Sequence, residues 1–225
     1  MDSLEYHQLE LAIASNPNDP RRVLPTIEAR HRRVLDVGCG AGQTLLASNL
    51  GKTVLAVGVD VDHAALAYGL EQGTNIKFVR AQGEVLPFFN DSFDLVICRV
   101  ALPYMRVDEA LSEMSRVLSE GGELWLVLHP FRMTAKELSA SLRRLNFKAI
   151  FYRLWVLGNG FALHVLGKQS RWPFQRYESW QSVGHIRSTL AKVGFSEVCV
   201  SRGDHFVVTA RKGQVNRSRI NRGTN

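Results

Sequence analysis

The chain predicts an α/β fold in which a mostly parallel β-sheet is covered by helices on both faces. Three observations predict it. Short runs such as RVLDV (33–37), VLAVGV (54–59) and FDLVIC (93–98) are almost continuously apolar, as strands buried on both faces are. Segments of helical periodicity fall between them, the βαβ alternation that gives a parallel sheet. A length of 225 residues with 45% hydrophobic and 22% charged side chains suffices for one large core.

The elements follow in order. Leu4 to Ala14 predicts a short helix stopped by Asn16 and Pro17, and a second short helix is expected through Arg22 to Ala29. The strand at 33–37 leads into a helix at 42–50. The strand at 54–59 precedes a helix at 63–70 that Asp62 is placed to cap. Strands at 76–80 and 93–98 come next, then a helix at 107–118 whose first turn holds Asp108 and Glu109, suited to its positive end. A strand at 123–129 follows. A late helix runs from His185 to Lys192 and stops at Gly194. The last strands, near 197–201 and 205–210, are split by Gly203 and Asp204 and read as a hairpin, so at least one sheet edge is antiparallel.

Residues 131–183 do not fit a short crossover. They hold a helical run, TAKELSASLRRLNF, and the apolar KAIFYRLWVLGNGFALHVLG, where Arg153, Asn159 and His164 interrupt and Gly158 with Gly160 are expected to break a spanning helix. The run is read as falling short of a transmembrane signature. Insertions after the carboxyl ends of parallel strands commonly cover a binding crevice. A helical lid or substrate cap is the leading reading; extra core packing and a membrane-surface or dimer contact are the alternatives. The organisation is one domain, 1–210, containing this cap, with a basic flexible tail at 211–225.

The formal charge is +7, and Arg211, Lys212, Arg217, Arg219 and Arg222 all lie in that tail. A solvated tail or loose attraction to nucleic acid or anionic lipid accounts for them. The body is then close to neutral, which argues against a specific nucleic-acid partner. The three cysteines are far apart, and no residues have metal-ligand spacing. The N-terminus, MDSLEYHQLELA, is acidic where a signal peptide is basic, so a reducing, cytoplasmic location is expected. A monomer and a homodimer are both compatible with the sequence.

The chemistry concentrates after the first strand. Gly38, Gly40 and Gly42 allow a sharp strand-to-helix turn and close approach of a ligand to backbone amides and a helix end. A dinucleotide fingerprint needs its third glycine at position 43, which is Gln43 here, and no Lys-Ser or Lys-Thr pair follows as a phosphate loop requires. Asp60 ends the second strand, where a carboxylate can take both hydroxyls of a ribose. Gln82 and Gly83, directly after the third strand, offer an amide and an open backbone toward an adenine edge, and Pro87 sets a turn. In this order they describe a nucleoside site.

The motifs DVGCGAG, GVDVD, AQGEVLPF, FDLVICRVALPYM and LSEGGELWLV resemble those of the class I S-adenosylmethionine-dependent methyltransferases, nearest to the ubiquinone and menaquinone biosynthesis group and related small-molecule enzymes. The resemblance covers about residues 30 to 130. It implies a three-layer Rossmann-like fold, a seven-stranded sheet and S-adenosylmethionine as cofactor. Gly38, Cys39, Gly40 and Gly42 would pass beneath the methionine moiety, and Asp36 would orient its amino group. Asp60 would hold the ribose, Val61 would flank adenine, and Arg99 would lie beside the methionine end. Relatives often carry Gly-Asp-Ala-Glu where this chain has Ala81-Gln82-Gly83-Glu84, so Gln82 replaces the usual adenine-facing Asp, and Glu84 is expected to support the loop. Two histidines common in relatives are Pro103 and Tyr104 here.

Methyl transfer from a sulfonium is an in-line displacement that needs a base only when the acceptor gives up a proton. His129, after the fifth strand, is the best-placed base by topology, and Tyr104 is a second polar group of the same crevice. The aromatic cap, with Phe147, Phe151, Tyr152, Trp155, Phe161 and Trp172, suggests an apolar or planar small-molecule acceptor.

Overall fold

The strands β1 (Arg33–Val37), β2 (Leu55–Asp60), β3 (Lys77–Arg80), β4 (Phe93–Arg99), β5 (Leu118–Leu128), β6 (Phe195–Arg202) and β7 (Phe206–Lys212) form one sheet in the order β3-β2-β1-β4-β5-β7-β6. This computed structural model describes residues 3–203 and 205–213. Strands β1 to β5 pair in parallel, whereas β7 runs antiparallel to both β5 and β6. The expected mostly parallel sheet with a terminal hairpin is present; Asp204 of the turn lies outside the described residues.

Side-chain parity divides the core. Leu35, Val37, Val57, Val59, Val96 and Cys98 face one layer, where α4 (Val107–Val117) and α7 (Val183–Lys192) contribute Leu111, Met114, Ile186 and Leu190, all buried. Val34, Ala56, Leu95, Ile97 and Trp125 face the other, against Leu45 of the short α2 (Gln43–Ala47). Helix α1 (Ser3–Ser15) packs on α2 and on α3 (His63–Glu71). The Asp62 carboxylate accepts from the Ala64 and Ala65 amides and caps α3 as the sequence predicts.

Several expectations change. No helix forms over 22–29. Pro25 lacks the amide a helix interior needs and restricts Leu24; Val23 and Ile27 instead lean on the Trp125 layer. Strand β5 begins at Leu118, not 123, and its pairing with β4 shifts register between Phe93 and Leu95. Arg211 and Lys212 belong to β7 and pair with Glu123 and Asp91, each at 2.8 Å, so they are not part of a flexible tail. Arg217, Arg219 and Arg222 lie outside the described residues.

The cap is helical: α5 (Phe131–Arg143) and α6 (Phe147–Leu166) pack together. Gly158 and Gly160 do not break α6, which runs unbroken for 20 residues. By length and composition α6 is long and apolar enough to cross a membrane, contrary to the sequence reading. Its inner face is nonetheless committed to the protein. A Cβ on Gly160 would come within 2.2 Å of the Trp180 indole, so glycine there lets the helix seat against that ring. Asn159 donates to the carbonyls of Ser170 and Glu178 and accepts from the Ser170 amide at 2.7 Å.

Candidate functional site

Strand order reverses at β1, whose neighbours β2 and β4 leave toward opposite edges, so the crevice opens beyond its carboxyl end. There the backbone takes left-handed φ values at Gly38 (74°), Gly40 (56°) and Gly42 (77°). At Gly38 a Cβ would also come within 2.2 Å of the Ala101 methyl, so both the turn and the close packing exclude a side chain. The amides here do not face a ligand as expected. Those of Gly38 and Cys39 donate to the Val59 carbonyl, Gly42 to the Cys39 carbonyl, and Gly40 to the Asp60 carboxylate at 2.7 Å. A pyrophosphate would find none of these four donors.

A cavity of about 660 Å³ lies beside this turn, lined by Gly38, Asp60, Val61, Gln82, Gly83 and Glu84. The 3₁₀ turn after β4 contributes Tyr104, followed by Met105 and Arg106, and the cap contributes Arg171, Arg176 and Tyr177. The Asp60 carboxylate is held by the Gly40 and Asp62 amides. Two amides leave acceptor capacity on a group with about four lone-pair positions, so it can still take ribose hydroxyls. Glu84 accepts from the Arg106 amide at 2.8 Å and ties this loop to the start of α4. Gly83 is packed against Met105, whose sulfur would meet an added Cβ at 2.6 Å.

Asp36 lies beneath the turn, 1% exposed; neither carboxylate oxygen makes a hydrogen bond within 3.5 Å, although the Thr44 hydroxyl is close enough to lower the carboxyl pKa. Burial pushes its pKa up to about 7, with the Arg99 charge opposing and the Asp60 charge adding to the rise. A buried carboxylate short of partners favours a nearby cation, although Asp36 does not itself line the cavity that holds Asp60. Cys39 instead turns its thiol toward Gly58 and the sheet, and burial raises its pKa well above the ordinary thiol value. Arg99 also departs from expectation. It shares the face of Leu95 and Ile97, donates to Glu10 of α1 at 2.8 Å and to the Thr44 hydroxyl at 3.1 Å, and does not line the cavity that holds Asp60.

Helix α1 is the contribution that sequence reasoning missed. A Cβ on Gly40 would come within 2.5 Å of His7 Nδ1, a buried atom without a hydrogen-bond partner, so α1 sits directly on the glycine turn. Tyr6 and Glu10 line a second cavity of about 720 Å³ together with Arg99, Val100, Tyr104 and His129. Nothing in the spacing of α1 marks this role.

The second cavity lies on the other side of Tyr104, which borders both. The Tyr104 and His129 rings meet edge to face with centroids 5.8 Å apart. No described residue hydrogen-bonds either ring nitrogen of His129. Burial holds its pKa below the ordinary value; the Glu178 charge opposes this and the Arg153 charge adds to it. Burial, with Glu178 next, raises the Tyr104 phenol, which stays protonated at neutral pH. Val100, between β4 and the 3₁₀ turn, has φ of 63°, a strained value for a β-branched residue. Cap residues Arg132, Met133 and Lys136 close the outer wall. Tyr152 and Trp155 instead gather around Phe174 and line neither cavity, although the Tyr152 hydroxyl accepts from Arg176 of the first cavity's wall.

Residues 34–122 match a family model described as a methyltransferase domain. An uncharacterized methyltransferase of Bacillus subtilis, YcgJ, is 38% identical over 114 residues, covering 48% of this chain and 45% of that protein. The ubiquinone/menaquinone biosynthesis C-methyltransferase UbiE of Hahella chejuensis is 37% identical over 129 residues, covering 52% and 50%. Residues 34–122 are thus similar to a methyltransferase domain, and the curated relatives that they match are methyltransferases. The chain spans about half the length of these curated relatives. The methyltransferase fold extends beyond the matched residues: a solved S-adenosylmethionine-dependent methyltransferase from Mesorhizobium loti superposes with a TM-score of 0.58 at 19% identity, covering 90% of this chain and 100% of that one. S-adenosylmethionine fits the residues present through Asp60, which lines the open cavity and keeps free acceptor capacity; Asp36 lies beneath the turn without lining that cavity.

Asp60→Ala is expected to weaken S-adenosylhomocysteine binding by about 1.5–3 kcal/mol, the scale of a lost charge-assisted hydrogen bond. Calorimetric titration measures it. An unchanged affinity would leave Asp60 only a tie between the glycine turn and α3.

Proposed function

We propose that the protein methylates an apolar or planar small molecule by in-line displacement, with cofactor in the cavity at Asp60 and acceptor in the cavity at His129. The observation that carries this reading is Tyr104, which borders both cavities and is where their contents would meet. S-adenosylmethionine, when bound, supplies an electrophilic methyl on a sulfonium that leaves as a neutral thioether. The protein's part is then to position groups and exclude water, bringing the acceptor to about 3–3.5 Å from the carbon it attacks. Asp36 would hold the cofactor's ammonium and Asp60 its ribose. Tyr104 and the strained turn at Val100 form the partition, and Tyr6, Val127 and Met133 give the acceptor cavity apolar wall.

His129, neutral at physiological pH, would accept a proton from acceptors that must lose one. The relatives named as ubiquinone/menaquinone biosynthesis C-methyltransferases favour an acceptor methylated at carbon on an apolar, planar ring. A methyltransferase acting on RNA or protein is the second reading, favoured by the basic cap described below.

The test has two parts. Calorimetric titration should give binding of S-adenosylmethionine and S-adenosylhomocysteine with no measurable NADH affinity, because the four engaged turn amides offer no pyrophosphate cradle. Incubation of fractionated extract with methyl-labelled cofactor should then label a small apolar metabolite. Tighter NADH binding would overturn the cofactor reading, and label confined to RNA or protein would overturn the acceptor reading.

A further inference from the structure

Helix α6 exposes one continuous stripe. Phe147, Phe151, Leu154, Gly158, Phe161 and Val165 recur at helical spacing, and every one is exposed. Phe147 is 76% and Phe161 64% exposed. No charged or polar side chain interrupts the stripe over about 27 Å of helix. Soluble monomers rarely leave such a row uncovered.

Charge surrounds it. Residues 131–183 contain nine Lys or Arg and two acidic residues, Glu137, which pairs with Arg153 at 3.1 Å, and the buried Glu178, which pairs with Arg153 and Arg176. Arg143, Arg144 and Lys148 stand exposed around the amino end of α6, and Lys168 just beyond its carboxyl end. Trp172 is 73% exposed. The chain's formal charge of +7 is matched by this cap alone.

We infer that the outer face of α6 docks in the plane of an anionic lipid bilayer, with the apolar stripe in the interface and the flanking Lys and Arg on lipid headgroups. An apolar helix face bordered by basic residues has the chemistry of an interfacial helix, and the exposed Trp172, whose carbonyl accepts from Trp155 midway along α6, adds an aromatic side chain suited to the interface. The buried inner face keeps the helix on the membrane, not across it. Spanning would strip Asn159 of its bonds to Ser170 and Glu178 and pull Gly160 from Trp180. A second copy is the poorer occupant, because a self-complementary contact would set one basic cap against another with only Glu137 and the buried, already paired Glu178 to offset them. The same cap supplies Arg132, Met133 and Lys136 to the second cavity, so docking would bring that cavity's outer wall to the lipid surface. The inference does not depend on which reaction the protein performs.

Vesicle flotation tests it, using phosphatidylcholine vesicles with and without phosphatidylglycerol. Binding is expected to need phosphatidylglycerol and to weaken with salt. The pair Phe151→Ser and Phe161→Ser should lower partitioning about tenfold or more, and Arg143→Gln with Arg144→Gln about tenfold. Both pairs change exposed side chains, so thermal unfolding and S-adenosylhomocysteine affinity should match the wild type; this separates failed docking from a failed cofactor assignment. Equal partitioning onto neutral and anionic vesicles, or no loss in either variant pair, would overturn the inference. So would a concentration-dependent dimer, abolished by the Phe substitutions, in a protein that ignores both vesicles.

Discussion

Replacing Asp36 with Asn is expected to remove tight cofactor binding while leaving the empty protein at least as stable at neutral pH. The carboxylate is fully buried and makes no hydrogen bond within 3.5 Å, and burial, which penalises its charge, pushes its pKa up to about 7 against the opposing Arg99 charge and Thr44 hydroxyl. An ammonium group near it would add to the opposite charge that Arg99 provides. Removing one member of a buried charge pair costs about 2–5 kcal/mol, thirtyfold or more in affinity. The sign of the pH dependence follows from the raised pKa. Between about 3.8 and about 7 the folded protein holds a proton that the unfolded chain releases, so the empty protein loses stability as pH rises through that window. Cofactor affinity should move oppositely, tightening as pH rises through about 7. The Asn variant should lose both slopes. Calorimetry on either side of neutrality, with thermal melts of the empty protein, measures them. A variant that binds cofactor as the wild type does would remove Asp36 from the site.

His129→Gln is expected to lower turnover by roughly 10²–10⁴ for an acceptor that must lose a proton, the range of general-base catalysis. Cofactor affinity should stay unchanged, because His129 lines the cavity on the far side of Tyr104. Burial keeps the imidazole below its ordinary pKa of 6.5, so the free base prevails at neutral pH. Wild-type turnover should therefore fall only on the acid side, below pH 6.5, as the imidazole protonates. The variant should lose that limb. Tyr104→Phe should be milder, since a phenol that stays protonated is not the base. An acid limb that persists unchanged in the Gln variant would make His129 part of the cavity wall and nothing more.

Much of the fold was legible in order along the chain. Strands β1, β2 and β4 announce themselves because both of their faces are buried, so apolar residues run without alternation. The Asp62 cap of α3 is likewise a local matter, settled by the Ala64 and Ala65 amides within three residues. The glycine turn and the Asp60 strand end were readable for the same reason, as backbone geometry and strand ends leave marks in neighbouring residues. The start of β5 was not, because Leu118 to Gly122 become strand only through pairing that includes a register shift against β4.

Asp36, Asp60, Gln82 and the turn between them are therefore the sequence's own contribution, since a parallel sheet brings successive strand ends to one crevice whatever else surrounds it. Long-range packing settled the rest. Whether the turn amides are free depends on Val59 and Asp60 across the sheet, and whether Arg99 faces a ligand depends on Glu10, 89 residues away. The partition at Tyr104, the seat of α1 on Gly40 and the survival of α6 across two glycines depend on surfaces that meet only in the folded chain. Gly160 shows the reason most plainly: read locally it is a helix breaker, but in place it is the gap that admits Trp180.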